Sequence, residues 1–150
     1  MYKLYIKKNT NSNDLLNDVL KEHNINSKIV YNEHGKPYLE NNELFFNISH
    51  SGIYTILGIS DKEIGVDIEK IKEVKDNLIN KICSEKEKRL IKTPEDFTLI
   101  WVKKESYVKY LGIGLSYGLE NVDTTKINNF IIKKLDNYYI SVYIDSNTME

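Results

Sequence analysis

Two acidic residues stand two apart in the segment Ile64-Gly65-Val66-Asp67-Ile68-Glu69. Read as a strand, the segment puts Ile64, Val66 and Ile68 on one face and Asp67 and Glu69 on the other, the two acids roughly 7 Å apart at the backbone. Carboxylates so placed can converge on one hard cation, and Mg²⁺, which takes a few carboxylates together with water and substrate phosphates, suits them. A half-buried strand with its acidic face in water has the same pattern, so both readings stay open. A third acid, Glu105, lies one helical turn before Lys109, a spacing that describes a surface ion pair as readily as a site. Lys104 falls in the helical sector of Phe97, Val108 and Leu111, where an ammonium needs a route to water or an anionic partner. His50, flanked by Ser49 and Ser51 and followed by Gly52, brings a hydroxyl, an imidazole and turn amides together. Such a group can grip a phosphate or serve only as a turn.

The elements that must carry these residues follow from periodicity and punctuation. Alternation over Tyr2 to Lys7 predicts a strand, and Leu15, Leu16, Val19 and Leu20 predict a helix over Asp14 to His23, with Asn13 or Ser12 as its N-cap. Glu43 to Ile48, Tyr54 to Ile59 and Ile64 to Glu69 read as three strands joined by turns short enough for an antiparallel meander. Ser84 with Glu87 is a capping box opening a short helix. Thr93-Pro94-Glu95-Asp96 opens a longer one that should run to about Leu111 and stop at Gly112. Phe130 to Lys134 and Tyr138 to Ile144 form a hairpin across Asp136-Asn137, with Ser146 to Glu150 as a loose tail. Strands and helices without strict alternation give an α+β fold, antiparallel strands packed against a long helix, in a single domain over residues 1–150.

Composition narrows the function classes. Lys and Arg number 21 against 22 Asp and Glu, a net charge of −1, which gives no basic excess for nucleic acid. No apolar run is long enough to span a bilayer and the first residues lack a signal-peptide core, so the expectation is a cytoplasmic protein without a membrane. Cys83 is the only cysteine and can make neither an internal disulfide nor a multi-cysteine zinc site. Arg89 is the only arginine, so phosphates fall to lysines, hydroxyls, histidine and backbone amides.

Taken together, four segments resemble the 4′-phosphopantetheinyl transferases, notably the larger type that activates peptide and polyketide synthetases. They are Gly35-Lys36-Pro37, Phe46-Asn47-Ile48-Ser49-His50-Ser51, Ile64-Gly65-Val66-Asp67-Ile68-Glu69-Lys70, and Trp101-x-x-Lys104-Glu105-Ser106-x-x-Lys109 with Gly112-x-Gly114-Leu115 after it. They define a motif-bearing core over residues 35–115, preceded by a shortened N-terminal part over residues 1–34. The resemblance implies transfer of 4′-phosphopantetheine from coenzyme A to a serine of an apo acyl or peptidyl carrier protein, with release of 3′,5′-ADP. It implies Asp67, Glu69 and Glu105 as Mg²⁺ ligands, and Lys109 and Lys104 facing the phosphates. Ser49 and His50 would then hold coenzyme A phosphate groups, with Gly35, Lys36 and Pro37 near the nucleotide end. For the acceptor's proton it offers two acids, Glu105 through a metal-bound water or Glu87. The lysine-rich stretch from Lys70 to Lys92 is the expected docking face for an acidic carrier protein.

The larger members carry a basic segment in their first half that this chain does not show. A second subunit could complete the cleft, making a homo-oligomer; Lys7, Lys8 or Lys36 could hold coenzyme A instead; or activity could be lost. Two other classes of function therefore stand beside transfer. One is a non-catalytic module that binds coenzyme A or a carrier protein, and the other a metal-dependent phosphohydrolase.

Overall fold

The computed structural model describes residues 1–144, so the expected tail at Ser146 to Glu150 lies outside the described residues. Strand β1 (Tyr2–Lys8) leads into helix α1 (Ser12–Glu22), and a short hairpin of β2 (Ile29–Tyr31) and β3 (Pro37–Leu39) follows. Strands β4 (Phe45–Ser51), β5 (Tyr54–Ser60) and β6 (Ile64–Lys70) come next, then helices α2 (Asp76–Ile82), α3 (Glu85–Leu90) and α4 (Pro94–Leu111). Three short 3₁₀ turns lead to the closing hairpin of β7 (Ile131–Leu135) and β8 (Tyr138–Ile144). The α+β expectation holds.

Local chemistry accounts for the boundaries. Helix α1 begins earlier than its apolar spacing suggests, because the Asn11 side chain, not Asn13 or Ser12, accepts from the Asp14 amide. Its buried residues are the predicted Leu15, Leu16, Val19 and Leu20, each worth about 1.5–3 kcal/mol of burial. Helix α4 opens on a full capping box between Thr93 and Asp96 with proline in its first turn. It ends where Gly112 takes φ 69°, a left-handed turn that suits glycine.

The expected meander is only half formed. Strands β4 and β5 pair antiparallel, but β6 does not join them; it pairs with β8, giving one sheet ordered β1-β5-β4 and another ordered β6-β8-β7. Both ladder edges of β5 are already occupied, by β1 and β4, so β6 had to find an edge elsewhere. Leu57 and Ile59 of β5 pack with α1, while Tyr54 and Ile56 pack with Val66, Ile68, Ile140 and Val142 of the second sheet. A Cβ at Gly58 would sit 2.8 Å from Val66 Cγ1, so the glycine lets the two sheets close. Helix α4 covers the outer face of the second sheet, against β6 and β8.

Candidate active site between β6 and α4

On β6 the alternation works as predicted, with Ile64, Val66 and Ile68 in the core between the sheets. The opposite face is not in water. Asp67 is only 5% exposed, because α4 lies over that face. Gly65 permits the approach: a Cβ there would fall 2.0 Å from the Ser106 carbonyl oxygen and 2.4 Å from the Tyr110 nitrogen. A glycine inside a strand is the signal for such an approach. The same contact face is stitched by buried hydroxyls, Ser106 Oγ lying 2.8 Å from Ser141 Oγ, and Ser141 pairs with Asp67 across the β6–β8 ladder.

The free edge of β6 meets the free edge of β4, and side chains rather than a ladder join them. The Val66 amide donates to Asn47 Oδ1 at 2.8 Å and the Ile68 amide donates to Ser49 Oγ at 3.3 Å. Ser49 in turn donates to Asp67 Oδ1 at 3.0 Å. Lys109, reaching across from α4, donates to the Ile48 carbonyl at 2.6 Å. Beside this seam is a cavity of about 240 Å³, lined by His34, Gly35, Lys36 and Pro37 on one wall and Glu105, Val108, Lys109, Gly112 and Gly114 on the other. Asn47 and Ile48 complete it.

Electrostatics mark the site as short of positive charge. Burial pushes the Asp67 carboxyl well above the usual carboxylate range, and its contact with Glu69 pushes it further, against the pull of Lys109. Burial and then the charge of Glu69 raise Glu105. Burial also lowers the Lys109 ammonium, although Asp67 and Glu105 oppose that shift. Asp67 Oδ2 is buried with no hydrogen-bond partner, a costly condition that a cation would relieve. Among the described residues no three His, Cys, Asp or Glu side chains are already gathered into a cage. The oxygen donors of Asp67, Glu69 and Glu105 nonetheless fit a hard divalent ion by type.

Other predicted site residues are placed differently. Glu87 and Lys104 are fully buried and bound to each other at 2.9 Å, and neither lines the cavity. Lys104 also donates to the carbonyls of Leu119 and Val122. Burial alone would raise the Glu87 carboxyl, but hydrogen bonds from Thr124 and Lys104 outweigh it and hold the group below its ordinary value. Of the two options open to Lys104, a route to water or an anionic partner, the structure takes the second, and the partner is Glu87 rather than a phosphate. Lys36 lines the cavity, yet its ammonium donates to Glu63 Oε1 at 2.7 Å and to the Ile64 and Tyr110 carbonyls. His50 is exposed opposite Thr55 near the end of β4, off the cavity walls. Sequence reasoning missed the anchoring roles of Asn47, Ser141 and Thr124; Gly65, an isolated glycine among β-branched residues, was the one with a readable signal.

Residues 63–143 match the family model of the 4′-phosphopantetheinyl transferase superfamily. The chain is 29% identical over 128 residues to the 4′-phosphopantetheinyl transferase gsp of Aneurinibacillus migulanus, covering 79% of this chain and 54% of that protein. It is 32% identical over 117 residues to a 4′-phosphopantetheinyl transferase of Bacillus subtilis, covering 73% and 49%, respectively. With the 4′-phosphopantetheinyl transferase Sfp of Bacillus subtilis strain 168 it shares 35% identity over 96 residues, or 59% and 43%. The chain spans about half the length of the curated relatives it matches.

Proposed function

The chain belongs to the 4′-phosphopantetheinyl transferase superfamily, and on that premise we propose that it moves the 4′-phosphopantetheine arm of coenzyme A onto a serine of an apo acyl or peptidyl carrier protein. The observation that carries this reading is the buried, unpartnered Asp67 oxygen facing α4, beside a cavity that Gly35-Lys36-Pro37 and Lys109 share. In the reaction the serine oxygen bonds to the phosphorus that bears the pantetheine arm. The phosphoanhydride bond to 3′,5′-ADP breaks with its electron pair, and the serine proton passes to a base. Of the two acids considered for that proton, Glu105 borders the cavity and Glu87 does not. Asp67, Glu69 and Glu105 would hold Mg²⁺, whose charge would offset that of the pyrophosphate. Lys109 stands on the same wall with its Nζ held at the Ile48 carbonyl, and Gly35 and Pro37 leave room for the nucleotide end.

The carrier protein meets the face around α2 and α3 in this reading. Lys70, Lys72, Lys75, Lys81, Lys86, Lys88, Arg89 and Lys92 gather there, and the burial of Glu87 removes one of the four acids that would balance them. The surface is therefore more basic than the sequence count suggests, which favours an acidic partner. No helix of the described residues is long and apolar enough to cross a membrane, and we assign the reaction to the cytoplasm.

One observation favours the second reading in its carrier-binding form, a module that docks a carrier protein without transferring anything to it. The Ser49 hydroxyl proton and the Lys36 ammonium, both expected to serve the ligand, are engaged by the protein itself. Product analysis separates the readings. With coenzyme A, Mg²⁺ and apo-carrier protein, transfer yields 3′,5′-ADP and modified carrier one for one. Nucleotide released without an acceptor indicates a hydrolase, and binding with neither product indicates the module.

A further inference from the structure

The two walls of the cavity come from distant parts of the chain, and no ladder fixes one against the other. The wall with Gly35, Lys36 and Pro37 is the turn of the β2–β3 hairpin, which has three residue pairs and joins neither three-stranded sheet. The opposite wall is the C-terminal end of α4. One amide side chain bridges them. Asn32 Nδ2 donates to the Gly112 carbonyl at 2.9 Å, while Asn32 Oδ1 accepts from the amides of His34 at 2.8 Å and Lys36 at 2.9 Å. The Asn32 backbone closes the same turn, donating to the Lys36 carbonyl and accepting from Gly35. Lys36 adds a second tie through its bonds to Glu63, Ile64 and Tyr110.

We infer that Asn32 is a positioning residue, which sets the gap between the hairpin turn and the end of α4 and so the width of the nucleotide-binding cavity, without touching the ligand. The inference rests on the coenzyme A reading for the identity of that ligand. Asparagine suits the task because it is an acceptor and a donor on one short stem. Aspartate keeps the acceptor for the two turn amides but sets a carboxylate against the Gly112 carbonyl. Serine can still cap the turn but is too short to reach Gly112. Gly112 is held in the left-handed conformation that ends the helix, and a Cβ there would lie 3.1 Å from Asn32 Nδ2.

The test compares wild type, Asn32→Asp and Asn32→Ser by calorimetric titration with coenzyme A and by steady-state transfer to an apo-carrier protein, with thermal melts as fold controls. Loss of one positioning bond should raise the Kd and KM for coenzyme A about tenfold in both variants. The kcat and the KM for the carrier should stay within about twofold, since the groups at the reacting phosphate are untouched. A merely structural role would lower the melting temperature and the active fraction without this split. Wild-type affinity in either folded variant, or a fall in kcat at constant KM, overturns the inference. Wild type that binds no coenzyme A overturns instead the functional reading and the ligand named with it.

Discussion

Replacing Glu87 by glutamine should unfold the protein more easily rather than merely silence it. The two carboxylate oxygens accept four hydrogen bonds: Oε1 from the Ser84 amide at 2.8 Å and from Lys104 at 2.9 Å, Oε2 from the Thr124 amide at 2.9 Å and the Thr124 hydroxyl at 2.5 Å. An amide of the same shape presents acceptors on one side only, so its N–H₂ must face donors at one pair or the other. It also leaves the Lys104 ammonium buried without a counter-charge. Breaking one member of a buried pair costs about 3–5 kcal/mol. For a domain of this size that lowers the melting temperature by about 10–15 °C. Lys104→Met should cost a similar amount, and the double variant should be less destabilised than the sum by about 1–3 kcal/mol, since no lone charge remains. Thermal and urea unfolding of the four proteins complete the cycle. A Glu87→Gln protein that melts with wild type yet does not turn over would refute this account and make Glu87 the proton acceptor after all.

Gly65→Ala would place a methyl against the backbone of Ser106 and Tyr110, so α4 must lift from β6. Overpacking of this kind costs about 1–3 kcal/mol. Coenzyme A affinity should fall with stability in that variant, as melting and calorimetric titration would record. The Cys83 thiol is pushed up to about 11 by burial and next by the charge of Glu87. An ordinary thiol ionises near 8.5, so at pH 8 the folded protein should react with iodoacetamide about two orders of magnitude more slowly than the unfolded chain. The sign also fixes a trend: above the unfolded value the unfolded state loses its proton first, so stability declines from pH 8.5 toward 11. Equal alkylation rates for the folded and denatured protein would contradict the burial of this group.

What was legible in the sequence was local. The capping box at Thr93 and the glycine at 112 bound α4 because a helix must satisfy its own terminal groups within a few residues. The alternation of β6 correctly separates its apolar face from Asp67 and Glu69. What covers the acidic face was not legible, since that depends on α4, some 40 residues away, and on the space left by Gly65. Likewise, helical spacing puts Lys104 in an apolar sector, where a route to water, Glu87 or a ligand phosphate would each serve on paper. Only the tertiary placement of Glu87 on α3 beside Lys104 on α4 decides among them. The meander fails for a similar reason, because turn length limits which strands can pair without recording which edges are already occupied.

The central claim is that Asp67, Glu69, Glu105 and Lys109 form a centre for phosphopantetheine transfer. The most direct measurement is the intact mass of an apo-carrier protein after incubation with coenzyme A, Mg²⁺ and either wild type or Glu105→Gln. The account predicts a gain of one phosphopantetheine with wild type and none with the variant, both proteins melting alike. No gain from wild type on any acceptor, or an equal gain from the variant, would contradict it.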